Sequence, residues 1–267
     1  MTEPPVHVGA DDPRVADYRN LTDVGWRTVM EPEQGLFLAE GSKVILRALA
    51  AGYRPRSALT TEKWLPELLE PLTVAGAEVL VADESVLREV VGFRLHRGAL
   101  AAFERAPDRS MAEVVSQTSE LVVLEDLVDH TNVGLVMRSA AALGIGGALI
   151  SPRCADPYYR RSIKTSMAAA LTLPWARADP WPQALSTLVD GGFEVLGLTP
   201  DPSAENIRTW RRPPEGKVAL LLGTEGDGLS PDALAVVDTW LRIPMAGSID
   251  SLNVAAAAAI ACYAVTA

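Results

Sequence analysis

Apolar residues fall into two series of short continuous runs alternating with segments of helical spacing, separated by a weakly patterned stretch. In the first series LFLAE (36–40) predicts a strand, and SKVILRALAAG (42–52) an amphipathic helix closed by Gly52. SALTTE (57–62) predicts a strand, 63–76 a helix interrupted by prolines, and EVLVAD (78–83) a strand. ESVLREVVG (84–92) follows as a helix and GALAAFER (98–105) as a closing strand. This is a small α/β unit, taken as 17–106, and the proline- and serine-bearing segment 106–119 reads as its linker.

The second series opens with ELVVLED (120–126), a buried strand by its apolar run. Asn132 is placed to cap a helix over 133–143, and Gly144 to stop it. Strands are expected at 146–152, 193–200, 217–223 and 239–244. Helices are expected at 157–171, 180–192, 230–237 and 251–265. Alternation of this kind implies a largely parallel sheet covered on both faces.

Composition narrows the class. With 267 residues, 48% of them hydrophobic, and dispersed charge, the chain reads as soluble and globular. Its acidic N-terminus lacks the regions of a signal peptide, and the weakly polar run from Val254 to Ala267 is too short to span a bilayer. Cys154 and Cys262 make neither a metal spacing nor a disulfide framework, so a reduced cytoplasmic protein is expected. A net charge of −10 argues against nucleic acid. The distribution weakens that objection: Arg153, Arg160, Arg161 and Lys164 form one basic cluster, Arg208, Arg211, Arg212 and Lys217 another, and Arg94, His96 and Arg97 a smaller third. Each also reads as an ordinary solvated face.

Familiar nucleotide motifs fail. LVDHTNVG after the strand at 120–126 is not a dinucleotide turn, and GTEGDGLS lacks the lysine of a phosphate loop. Three histidines leave no Ser–His–Asp arrangement to build, and no metal cluster is visible. What remains are three polar islands at strand-to-helix junctions: Asn132 with Arg138, Glu225 in its glycine loop, and Ser251 with Asn253.

In order, these islands resemble the motifs of the SpoU/TrmH family of RNA ribose methyltransferases, in the SPOUT class. NVGLVMRSAAALG (132–144), LLLGTEGDGLS (220–230) and IPMAGSIDSLNV (243–254) carry the resemblance, which covers 119–267 closely. More loosely, the first unit resembles the substrate-binding domain of many members. The implied fold is a C-terminal parallel-sheet domain with a trefoil knot, preceded by a small α/β domain. The implied cofactor is S-adenosylmethionine, and the implied assembly is a homodimer through the knot, with sites at the interface.

By carry-over the cofactor loops comprise Leu198, Thr199 and Pro200, then Gly223, Thr224, Glu225 and Gly226, then Ile243, Met245, Ser251, Leu252 and Asn253. The acidic glycine loop suits a cationic methyl donor. Arg138 is the main catalytic candidate. A guanidinium stays protonated in proteins, so its expected part is stabilising the developing oxyanion or clamping a phosphate. Asn132 orients it, while Glu225, Ser251 and Asn253 complete the implied catalytic set. RNA contacts are expected on 17–106 and on Arg153, Arg160, Arg161 and Lys164.

Two departures from the family pattern stand out. His130–Thr131 precedes Asn132 where many members have an Asn-Pro lead-in, and the chain runs little beyond its last motif. The expected activity is methylation of a ribose 2′-hydroxyl in RNA, ribosomal RNA ahead of tRNA. The alternatives are base methylation, against which the Ser-Leu-Asn motif speaks, and a non-catalytic RNA-binding or ribosome-assembly protein, against which the retained polar residues speak.

Overall fold

A computed structural model describes residues 4–95, 98–224, 228–246 and 251–266. They form two compact units, one of 1–107 with 158–171, the other of 108–157 with 172–267.

In the first unit the elements are β1 (Val6–His7), α1 (Val24–Glu33), β2 (Leu36–Glu40), α2 (Ser42–Ala50) and β3 (Pro55–Thr60), followed by α3 (Leu65–Val74), β4 (Glu78–Val81), α4 (Glu84–Val91) and β5 (Ala99–Glu104). Its sheet has the order β1-β4-β3-β5-β2, with β5 antiparallel to both β2 and β3. Leu36, Leu38, Leu59, Leu80 and Leu100 from four strands meet in one core. This is why those strands read as continuous apolar runs. Helix α4 stops at Gly92, whose φ of +82° is the left-handed cap that glycine adopts without a Cβ clash. Helix α1 was not anticipated. It buries Arg27, Met30 and Glu31, and its internal ion pair, Arg27 Nε to Glu31 Oε1 at 2.8 Å, is invisible to hydrophobic periodicity.

The second unit begins with α5 (Met111–Ser116), β6 (Glu120–Leu124), α6 (His130–Ala142) and β7 (Gly147–Ile150). After α7 (Arg160–Thr165), which groups with the first unit, come β8 (Trp175–Arg177), α8 (Ser186–Asp190), β9 (Phe193–Leu198) and β10 (Glu205–Asn206). The chain closes with β11 (Lys217–Leu222), α9 (Pro231–Leu234), β12 (Thr239–Arg242) and α10 (Val254–Thr266). The sheet order is β10-β12-β9-β11-β6-β7-β8, and every pairing is parallel. Strands β6 and β11, the most apolar runs in the chain, lie side by side at its centre. The alanine-rich α10 packs on α6.

Several expectations change. The segment read as a linker contains α5, held by a reciprocal cap in which Ser110 Oγ accepts from Glu113 N (3.2 Å) and Glu113 Oε2 accepts from Ser110 N (2.7 Å). Helix α6 starts two residues before Asn132, because Asp129 is the cap and its carboxylate accepts from Thr131 N (2.5 Å) and Asn132 N (3.2 Å). The long helix expected at 157–171 is the short α7 and a separate turn at Ala169–Leu171.

That segment also falls inside the first unit, although the sequence placed it with 119–267. Tyr158 stacks on Phe37 with centroids 5.4 Å apart, and its hydroxyl meets that of Tyr53 at 3.0 Å. Arg160 and Lys164 both pair with the buried carboxylate of Glu40, at the end of β2. Among the described residues no helix is long and apolar enough to cross a membrane.

Candidate functional site

Strands β12, β9 and β11 are neighbours in the sheet, so the loops leaving their carboxyl ends converge. They enclose a cleft of about 500 Å³. Leu198, Thr199 and Pro200 line it after β9, Leu222, Gly223, Thr224 and Gly228 around the end of β11, and Ile243 and Met245 after β12. Ser251, Leu252, Asn253, Val254 and Ala257 supply the remaining wall from the start of α10. The crevice beyond the carboxyl ends of parallel strands is where open α/β sheets hold ligands, and the volume is that of a small-molecule site.

The glycine loop is closed by backbone. Thr224 N donates to Gly228 O at 3.0 Å. A Cβ on Gly223 would stand 2.3 Å from the carbonyl carbon of Gly228, so only glycine admits this approach. Leu198, Leu222, Ile243 and Leu252 give the cleft apolar wall, and Thr199, Thr224, Ser251 and Asn253 polar wall. Apolar and polar walls in a cleft of this size fit an adenosine-sized ligand with a charged end, so the residues present suit S-adenosylmethionine.

Asn253 joins two of the three motifs. Its Nδ2 donates to Asn132 Oδ1 at 3.1 Å, while its own Oδ1 accepts from Ala255 N at 3.0 Å and caps α10. Asn132 is buried, and because Asp129 caps α6 the Asn132 side chain is available for this contact. Arg138 lies six residues further along α6, about 9 Å along the axis and about 120° round from Asn132. It is exposed, does not line the cleft, and has no hydrogen-bond or ion-pair partner among the described residues. Glu225 and Gly226 lie outside the described residues, as do His96 and Arg97 of the third basic cluster.

The basic residues at 153–164 have different partners. Arg153 pairs with Asp126, Nε to Oδ2 at 3.0 Å, and holds that carboxyl below the usual carboxylate range against the opposing effect of burial, with a bond from Ser151 adding to the lowering. Arg160 is mostly buried, and it and Lys164 are held by Glu40. Arg161 is exposed.

Sequence reasoning missed Glu125. This carboxylate, 2% exposed, directly follows β6. Its Oε2 accepts from Ser230 N (2.9 Å), and its Oε1 from Ser230 Oγ (2.6 Å) and Trp181 Nε1 (2.8 Å). Ser230 in turn caps α9, immediately after the glycine loop, so Glu125 pins the far end of that loop. An acid directly after the apolar run 121–124 was the available signal. Cys262 is buried, which pushes its thiol up to about 12, well outside nucleophilic use. Among the described residues no group of His, Cys, Asp and Glu could hold a metal ion.

Comparison with known proteins agrees with this geometry. Residues 119–263 match the SpoU rRNA Methylase family, and residues 29–94 match the MRM3-like substrate binding domain. An uncharacterised tRNA/rRNA methyltransferase of Mycobacterium tuberculosis (strain ATCC 25618 / H37Rv) is 41% identical over 95% of this chain and 88% of its own. The 23S rRNA (guanosine-2′-O-)-methyltransferase RlmB of Ralstonia nicotianae is 29% identical over 76% of this chain and 82% of its own. The SpoU methyltransferase AviRb of Streptomyces viridochromogenes, solved with AdoMet, superposes with a TM-score of 0.78 at 25% identity, covering 96% of this chain and 97% of its own.

Proposed function

The chain belongs to the SpoU rRNA methylase family and is an RNA methyltransferase, and we propose that it methylates a ribose 2′-hydroxyl of ribosomal RNA using S-adenosylmethionine. The observation that carries this reading is the Asn253–Asn132 bond, which ties the helix bearing Arg138 to the wall of the cofactor cleft. RlmB, named for 2′-O-methylation of 23S rRNA, and AviRb, solved with AdoMet, support the substrate and the cofactor.

When bound, S-adenosylmethionine supplies a sulfonium-activated methyl for in-line displacement by the hydroxyl. The glycine loop and the segment 251–253 hold and orient it. Arg138 offers a fixed positive charge to the ribose oxygen as that oxygen gives its proton up to water, or to the adjacent phosphate. Asn132, Asn253 and Ser251 position these groups, and Glu225 completes the set. The reading includes the trefoil knot and a homodimer formed through it. An arginine exposed and off its own cleft fits a site completed across such an interface, Arg138 of one protomer serving the cleft of the other.

Methyl transfer from labelled S-adenosylmethionine to rRNA and to tRNA, followed by mapping of 2′-O-methyl marks with and without the gene, tests the proposal. Marks on ribosomal RNA are expected. Transfer to a base would overturn the ribose assignment, and transfer to tRNA alone the ribosomal one. Failure to bind S-adenosylmethionine at millimolar concentration would sink the reading entirely.

A further inference from the structure

The first unit contains a second cavity, of about 180 Å³, outside the cofactor cleft and built by different chemistry. Trp64, Leu87 and Leu95 give it aromatic and aliphatic wall. Lys63, Arg88 and Arg94 stand at it as cations, against one carboxylate, Glu84. Gly98, at φ +47°, also borders it. A Cβ there would lie 2.5 Å from Trp64 Nε1, so glycine is what lets the indole edge approach the main chain. Lys63 Nζ sits 5.5 Å from the Trp64 ring centroid.

These cations differ from the basic residues picked out in 153–164. Arg160 and Lys164 share the carboxylate of Glu40, and Arg153 pairs with Asp126. Among the described residues Lys63, Arg88 and Arg94 form no ion pair, and all three are exposed. Size then limits the ligand. A cavity of about 150 Å³ holds one benzene ring, so this one accommodates a single ring system, not a stack. An aromatic wall beside arginines is how proteins hold one splayed base together with its phosphates.

We propose that this cavity binds one unpaired nucleotide of the RNA substrate, its base against Trp64 and Leu87 and its flanking phosphates on Lys63, Arg88 and Arg94. Thr61 and Glu84 supply hydrogen bonds at the rim. The proposal rests on the RNA methyltransferase reading and adds to it a grip on single-stranded RNA in the first unit.

The test uses the full chain and a fluorescein-labelled 12-nucleotide oligouridine, followed by anisotropy across a salt series. The double variant Arg88→Ala/Arg94→Ala should weaken binding at least tenfold and lower the slope of log K against log salt by about 1.4, roughly 0.7 for each phosphate of a single strand that is no longer neutralised. Trp64→Ala, which removes the stacking face, should weaken binding about tenfold with the slope unchanged, since stacking releases no counterions. Circular dichroism checks the fold, and calorimetry with S-adenosylmethionine should match wild type in every variant. Unchanged oligouridine affinity in these variants, or none in the wild type, overturns the proposal while leaving the methyltransferase reading intact. Loss of S-adenosylmethionine binding by the wild type would instead strike at that reading.

Discussion

Asn253 donates to Asn132 across 3.1 Å, from the residue preceding α10 to the third residue of α6, 121 positions earlier in the chain. The bond fixes the amide of Asn253 so that its oxygen faces Ala255 N, and one side chain serves both as cap and as clasp. A double-mutant cycle measures it. Asn132→Ala should cost about 1 kcal/mol in urea unfolding, and Asn253→Ala about 1–2 kcal/mol because the cap goes as well. The coupling between them should be about 1 kcal/mol. Strict additivity would show that the clasp contributes nothing.

Arg138 is exposed, so its removal should leave the fold untouched. Arg138→Ala is expected to lower kcat by about 10²–10³, with S-adenosylmethionine affinity by calorimetry unchanged. If the proposed homodimer shares its sites, mixing inactive Arg138→Ala protein with inactive Asn253→Ala protein should restore part of the activity, since a mixed dimer would contain one intact site. No restoration would place Arg138 and the cleft it serves on the same protomer.

Glu125 accepts three hydrogen bonds in a buried position, all from donors. Glu125→Gln turns an amide N–H₂ toward Ser230 or Trp181 and leaves a donor facing a donor. A loss of about 1–3 kcal/mol is expected, together with a raised KM for S-adenosylmethionine as the far end of the glycine loop loosens. A KM equal to wild type would confine Glu125 to a structural role.

Asp126 gives a pH dependence. Arg153 and Ser151 hold its folded carboxyl below the usual carboxylate range, so the contribution to stability is present in full above the unfolded carboxylate pKa. It disappears as pH falls through the lowered folded value. Asp126 has a φ of +53°, which asparagine tolerates, so Asp126→Asn removes the charge without backbone strain. The melting temperatures of wild type and variant should differ near neutrality and converge on acidification below about pH 4, the ordinary carboxylate range. A gap that persists or widens in acid would refute the assignment.

How much was legible before folding follows from the range of each interaction. Strand and helix alternation in both units was readable, because periodic burial marks each segment locally: the runs that became β2, β6 and β11 are apolar throughout their centres. The polar islands at 132–138, 223–226 and 251–253 were readable as motifs for the same reason, each being short and contiguous. Helix α1 was not, since its burial rests on an Arg27–Glu31 pair that hydrophobic spacing scores as solvent-facing.

By itself the sequence determined the α/β class and the two-part organisation, and its resemblance to a known family picked out segments that line the cleft. Only tertiary structure decided that Asp129 and not Asn132 caps α6, since both are cap-forming residues and local pattern cannot rank them. It alone decided that Arg160 and Lys164 pair with Glu40, 120 and 124 positions away. It alone brought Glu125 to Ser230. A charge or an amide takes its role from the partner it meets, and those partners lie far along the chain, where composition and spacing carry no information.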